Sequence, residues 1–343
     1  MSTKPRSAAT YKDIQRVTGL SLATISKFYN GQNVLAENRR AIETAAAELD
    51  YRPNVFASSL RRGSTRSIGV LLPSLQVNFH LSIVVGIEKY LRGQGIGVLV
   101  TSNEFDGTPS NVDAVDLLRS RRVDGIISVP AMSDSSALAS AVAAGVPVVT
   151  VDWRLPGLDA DSVSLDNVQA GRVSGQHLID HGHRTLGAIV GEPTMWSLEG
   201  RLQGFLAATT GSGLEIQSDH IQRAPLSVND GYAAMMRLLS ADVRPTAVFT
   251  ANSELTVGAV IAINDSGLRL GHDISLVGFD ALELAQVTRP KLTVFVQPVE
   301  TIAAEAARIM SGRLDDPTGA GERLVRELPG RLQIGGSVLA RHE

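Results

Sequence analysis

The sequence contains no cysteine, which excludes disulfides, thiolate metal sites and a thiol nucleophile. No apolar run approaches the about 18 residues of a membrane-spanning helix. The opening MSTKPRSAATYKD has no apolar stretch ahead of a small-residue cleavage site, so a cytoplasmic setting is expected. No Gly-x-x-x-x-Gly-Lys phosphate loop occurs, and no serine sits in a nucleophile elbow. GQGIG at 93–97 lies between a helical pattern and the next strand pattern, the wrong order for a dinucleotide cradle. HGH at 181–183 closes a helix and lacks further ligands nearby, which favours ordinary loop histidines over a metal site. We therefore expect no catalytic residue, no metal and no cofactor.

What is present is an ordinary globular composition, 43% hydrophobic and 20% charged over 343 residues, long enough for two or three domains. Its charge is unevenly spread. Residues 1–66 carry eleven Lys and Arg against five Asp and Glu, a balance of +6, whereas the remainder stands at −9. A basic head on an acidic body suggests a polyanionic partner for the head, the alternative being a solvated basic face.

The head reads as short helices. Thr10 followed by Asp13 resembles a capping box and puts Ile14 and Val17 on one face. Thr18-Gly19-Leu20 breaks that helix, and Ser21 can cap a second one with Ile25, Phe28 and Tyr29 on one side and Leu22, Ala23, Ser26, Lys27 and Asn30 on the other. This is a helix-turn-helix pattern. A third helix from about 36 to 50 places Ile42, Ala45, Ala46 and Leu49 on one stripe. After Pro53, residues Asn54, Ala57 and Leu60 share a face of a two-turn helix too short to stand alone. RRGSTR behind it offers Arg61, Arg62 and Arg66 to phosphates.

From residue 67 onward apolar runs alternate with helical patterns. Strands are expected at 67–73, 97–102, 123–130 and 147–152, then at 185–191, 246–251, 274–280 and 292–297. Two such series predict an α/β fold of two doubly wound parallel-sheet subdomains. Ligands of such sheets bind beyond the carboxyl ends of the strands, where the sequence puts Ser74, Asp152, Glu192, Asn252, Asp280 and Gln297, with Trp196, Ser197 and Arg201 in MWSLEGR. Carboxylates, an amide, an arginine and an aromatic platform suit a sugar-like ligand. The competing reading is that Asp and Asn after strands merely cap the next helix.

The stretches YKDIQRVTGLSLATISKFYNG and RRAIETAAAELDYRPNVFASSLRRGSTRSIGVLLP resemble the head and hinge of the lactose-repressor (LacI/GalR) family of transcriptional regulators. RRVDGII, VSLDNVQAG, HLIDHGHRTLGAIVG, EGRLQGF, RPTAVFTANSELTVGAV, ISLVGFD and LPGRL resemble its effector domain, which is similar to periplasmic sugar-binding proteins. The resemblance implies that Leu22, Ala23 and Lys27 read the major groove beside Ser26 and Asn30. It also implies that Thr10, Ser21, Thr24 and Asn30 touch phosphate, and that Asn54, Ala57 and Leu60 belong to a hinge helix whose leucine wedges into the minor groove. In the cleft it makes Arg201 and Asp280 the main effector contacts, followed by Asp152, Asn252 and Gln297, with Phe79, Ser197 and Trp196 at the rim. The implied domains are a head at 1–52, a hinge at 53–66 and an effector domain at 67–343. Within the last, one subdomain spans about 67–165 plus 295–318 and the other about 166–294 plus 319–343.

Some positions depart from the family pattern. Gln15 stands where the first helix usually has Ala, and Phe28-Tyr29 is bulkier than usual, so altered helix packing is expected. VNFH at 77–80 replaces Asn-Pro-Phe-Phe, and Asn252-Ser253 replaces an Asn-Asp or Gly-Asp pair. The expected protein is a homodimeric repressor on an inverted-repeat operator, without membrane contact, controlled by a sugar-like effector; SVLARHE at the end favours a dimer over a tetramer. The alternatives are a sugar-binding module without specific DNA binding and a sugar-processing enzyme using Asp152 and Asp280. Replacing Arg201 by Ala is expected to remove the effector response while sparing the fold.

Overall fold

Helix α1, Tyr11–Thr18, begins where the Asp13 carboxylate accepts the Thr10 N–H at 2.9 Å and the Thr10 hydroxyl at 2.8 Å. Gly19 at φ +70° closes it, a left-handed turn that glycine adopts without steric cost. Helix α2, Leu22–Tyr29, starts at Ser21, whose Oγ accepts the Thr24 N–H at 3.1 Å, and α3 spans Ala36–Glu48. Ile14, Ile25, Ile42 and Ala45 form the buried centre. Val17, expected beside Ile14, is instead 50% exposed, because so small a core covers only the Ile14 side of α1. The bulky Phe28-Tyr29 pair is taken up in an aromatic layer. Tyr11, Tyr29 and Tyr51 lie 5.3–5.7 Å apart, and Phe28 packs edge-on to Tyr29 at 5.0 Å.

The computed structural model describes residues 9–29, 32–51, 64–105, 108–109, 111–130, 135–316 and 321–341. Asn30, Asn54, Ala57 and Leu60, and with the last three the expected hinge helix, lie outside the described residues. A division between Thr65 and Arg66 separates the head from a second compact unit.

That unit alternates strand and helix. Its first lobe holds β1 (Ser67–Leu72), α4 (Asn78–Arg92), β2 (Gly97–Ser102), α5 (Asn111–Ser120), β3 (Gly125–Ser128), α6 (Ser136–Ala143), β4 (Val148–Val151) and β5 (Asp161–Leu165). The second lobe continues with α7 (Asn167–Asp180), β6 (Leu186–Val190), α8 (Trp196–Gly211), β7 (Ile221–Arg223), α9 (Val228–Leu239), β8 (Ala247–Thr250), α10 (Ser253–Asp265), β9 (Ser275–Phe279), α11 (Leu282–Val287) and β10 (Thr293–Val296). Helix α12 (Val299–Asp315) returns to the first lobe, where it packs on α4; β11 (Val325–Leu328) and β12 (Arg331–Gln333) follow.

The sheets have the orders β11-β5-β4-β3-β1-β2 and β12-β10-β9-β8-β6-β7. All pairs in these two sheets are parallel except β10 with β12, and Glu104–Phe105 pairs antiparallel with Thr108–Pro109 in a separate two-stranded ladder. The eight expected strands all form, each within its expected span. One boundary needs correction: residues from 319 onward were expected in the second lobe, yet Val325–Leu328 pairs in parallel with Ser162–Leu165 of the first sheet. Buried Asp161 explains the placement, since it accepts Arg313 Nε and Nη2 at 2.9 and 2.8 Å and the Leu324 N–H at 2.9 Å, tying the returning chain to β5. Likewise β10, split by the expected boundary near 294, belongs wholly to the second sheet.

Successive residues of each buried strand feed opposite cores, as the pleat requires. Ile68, Val70 and Leu72 join α4 and α12, while Leu71 joins α5 and α6. Ala188 and Val190 pack towards α7 and α8, and Ile189 towards α9 and α10. Helices α7 and α8 meet backbone to backbone through glycine. A methyl on Gly171 would lie 1.8 Å from the Arg201 carbonyl oxygen, and one on Gly204 1.8 Å from that of Val168.

Candidate ligand cleft and nucleic-acid face

The two sheets present their carboxyl ends to a common cavity of ≈ 270 Å³, reached by Phe79, Asp152, Ser197, Arg201, Asn252, Asp280 and Gln297. Asp152 follows β4 at φ +68°, and Asp280 and Ala281 follow β9 at φ +53° and +40°. Left-handed backbone at a non-glycine residue costs about 1–3 kcal/mol and persists where the surroundings over-determine it. At Asp280 the surroundings are visible: Oδ1 accepts the Gln297 N–H at 3.1 Å and Oδ2 the Gln297 Nε2 at 2.8 Å. Burial pushes the Asp280 carboxyl up, against the opposing pull of Gln297 and Arg201.

Arg201 is 4% exposed although it carries a charge. Its Nε donates to Asn167 Oδ1 at 2.9 Å and Nη1 to the Ala251 carbonyl at 2.6 Å, while Nη2 stands 4.0 Å from Asp152 Oδ1. The guanidinium lies 3.7 Å above the Phe279 ring, a cation–π contact in a dry setting. Burial depresses its pKa, and Asp152 and Asp280 oppose that shift; a guanidinium keeps its proton throughout. Because the group is enclosed by partners, its removal is expected to cost stability as well as the ligand response, where the sequence alone suggested that the fold would be spared.

Asn252 is a helix cap that also stands at the cavity wall, its Oδ1 accepting the Leu255 N–H of α10 at 2.9 Å. Ser74 and Trp196, by contrast, are absent from the lining. Ser74 Oγ is used locally by the Gln76 N–H at 3.2 Å. Trp196 packs on the first-lobe core and borders a separate groove with Asp166, Glu199 and Glu327.

Several lining residues escaped the sequence reading, chiefly His80, Trp153 and Glu254. His80 Nδ1 pairs with the Ser74 carbonyl at 3.1 Å, and burial lowers its pKa despite Asp152 and Glu254 nearby. The unusual VNFH was its available signal; Trp153 had only its place after Asp152. Asp152 Oδ1, Trp153 Nε1 and Gln297 Oε1 are buried without a hydrogen-bond partner among the described residues, and such atoms call for water or a ligand.

In the head, Ser21, Leu22, Ala23 and Lys27 are exposed along one side of α2, with Thr24 and Ser26 half-buried and Thr10 exposed at the start of α1. Leu22 is 39% exposed, an apolar side chain open to solvent on a helix whose opposite face is packed.

A two-lobed cleft of this build, following a helix-turn-helix head in the sequence, defines a ligand-binding domain joined to a DNA-binding one. Residues 65–319 match the family described as periplasmic binding proteins and sugar binding domain of LacI family. The chain is 31% identical to the HTH-type transcriptional repressor PurR of Pasteurella multocida over 97% of its own length and 99% of that protein. It is also 31% identical to the ribose operon repressor of Escherichia coli K12, over 92% of this chain and 96% of the relative. Among solved structures, the lac repressor dimer bound to operator and the anti-inducer ONPF superposes with a TM-score of 0.85 at 27% identity, covering 97% of this chain and 100% of that one. The chain belongs to the LacI family of transcriptional regulators.

Proposed function

We propose that this protein is a cytoplasmic homodimeric repressor that binds an inverted-repeat operator and releases or tightens its hold when a sugar-like effector enters the cleft. The observation that carries the effector half is Arg201, buried at the meeting of two sheets between Asp152 and Asp280 and bordered by orphaned polar atoms. A ligand that satisfies those atoms favours one lobe arrangement, and linkage makes the coupling to DNA reciprocal. The cleft binds without turnover in this reading.

The DNA half rests on the exposed Leu22, Ala23 and Lys27 face. Leu22 and Ala23 suit thymine methyls and Lys27 a guanine edge. Thr10, Ser21, Thr24, Ser26 and Asn30 position the helix on phosphates and neighbouring bases, and Asn54, Ala57 and Leu60 supply the minor-groove wedge of a 53–66 hinge. Pairing with a second copy is supported by α4, where Val85 is 65% and Leu81 40% exposed. Selection of duplexes from a random library by the full-length protein tests the reading. An inverted repeat should emerge, and Lys27→Ala should relax preference at one base pair per half-site by about 1–3 kcal/mol. Sequence-indifferent binding would instead leave a sugar-binding module without an operator.

A further inference from the structure

The charged groups of the cleft are unequal in sign. Among the described residues, Asp152, Glu254 and Asp280 line it against a single arginine, Arg201. That arginine is already partly engaged: Nε donates to Asn167, Nη1 donates to the Ala251 carbonyl, and Nη2 faces Asp152 at 4.0 Å, so an anion at its remaining N–H groups would lie beside that carboxylate. One helix N-terminus at the cleft is occupied in the same sense. Glu254 lies in the first turn of α10, where its Oε2 accepts the Ser253 hydroxyl at 2.7 Å. It places a protein carboxylate where a ligand anion would otherwise gain from the helix dipole.

The unsatisfied atoms complete the picture. Gln297 and Trp153 are 6% and 8% exposed, and Gln297 Oε1 and Trp153 Nε1 are unpartnered at the cavity wall, as is Asp152 Oδ1. Two of these three are acceptors, so the occupant must bring donors. At ≈ 270 Å³ the cavity lies near the lower end of the about 300–1,000 Å³ span of small-molecule sites, a size suited to one small ring system.

Resting on the effector reading above, we propose that the cleft takes an uncharged or amine-bearing ring rich in hydrogen-bond donors and rejects the phosphorylated or carboxylated form of the same ring, with Glu254 and Asp152 setting the discrimination. A second carboxylate or a phosphate beside these groups meets repulsion that the low-dielectric cleft leaves poorly screened. Hydroxyls or an ammonium meet acceptors already in place. Monosaccharides and nucleosides both supply such donors.

Matched ligands test this with the full-length protein in thermal-shift titrations. The panel is D-ribose with ribose 5-phosphate; D-glucose with glucosamine, glucuronate and glucose 6-phosphate; and adenosine with adenosine monophosphate. The expected result is a rise in Tm with a neutral or amine member and at least tenfold weaker binding of its anionic partner; whether the responsive set is the sugars or the nucleoside identifies the source. Glu254→Gln should narrow that gap, while the charge-preserving Glu254→Asp should keep it. An anionic member that binds more tightly than its neutral partner, with the shift lost in Arg201→Lys, would overturn the inference and leave the effector reading standing. A flat Tm across the whole panel would overturn the effector reading itself.

Discussion

At the cleft the first lobe contributes Asp152 and Trp153 with polar atoms left open, whereas the second contributes Arg201, Asn252 and Asp280, which are mostly engaged by Asn167, Ala251, Leu255 and Gln297, the Gln297 Oε1 being its open atom. Both lobes have six-stranded sheets of the same winding, so the difference lies in side chains and not in architecture. A saturated network holds its geometry in the empty protein and acts as a platform. An open set gains its partners when a ligand arrives.

The largest expected effect breaks the platform. Arg201→Ala strands two carboxylates and empties a buried site, and should lower unfolding stability in urea by about 3–5 kcal/mol as well as remove the ligand response. Asp152→Ala, in the open lobe, should remove the response with a smaller stability change, because Asp152 Oδ1 has no hydrogen bond to lose among the described residues and its 4.0 Å ion pair can go while Arg201 keeps Asn167 and Ala251. Equal losses from the two would erase the contrast.

Glycine contacts sharpen it further. Gly171→Ala drives a methyl into the Arg201 backbone, while Gly86→Ala in the first lobe meets the Ala303 methyl at 2.5 Å. Overpacking costs about 1–3 kcal/mol. The Gly171 variant should fall at the upper end, because two backbones must separate, and should weaken ligand binding too. Calorimetric melting with and without ligand measures both.

The smallest effect concerns equivalent turns. Val123 follows α5 and His183 follows α7, each N–H bonding a carbonyl five residues back. Burial, aided by Arg341, lowers the His183 pKa from 6.5 to about 4. The unfolded chain therefore takes up the proton first as pH falls, so the stability from neutral His183 is present above about 6.5 and lost progressively towards about 4. Copying the first lobe with His183→Val should flatten the pH dependence of Tm over that window relative to the parent protein.

The strands visible in the sequence were those with continuous apolar runs. Missed were β5, whose DSVSL reads as polar until Arg313, far along the chain, neutralises Asp161, and the outer strands β7, β11 and β12, whose residues are largely exposed or half-buried and carry no apolar signature. The cleft was legible where a polar residue follows a buried strand, as at Asp152, Asn252, Asp280 and Gln297. That rule also brought in Ser74, which is absent from the cavity lining and whose hydroxyl is used locally by the Gln76 N–H. His80 and Glu254 sit one helical turn or less into α4 and α10, positions the rule does not reach.

The chain passes between lobes at Asp166, at Gln297-Pro298 and again between β11 and β12. Neither lobe is therefore a continuous stretch of sequence. During synthesis the first sheet stays without α12 and β11 until the ribosome has passed Leu328, roughly ten seconds or more after β1 emerges. The second sheet gains its last edge strand only five residues later, at Gln333. The two halves thus reach completion almost together, which favours their appearance as one assembled clamp over a long-lived half-built one.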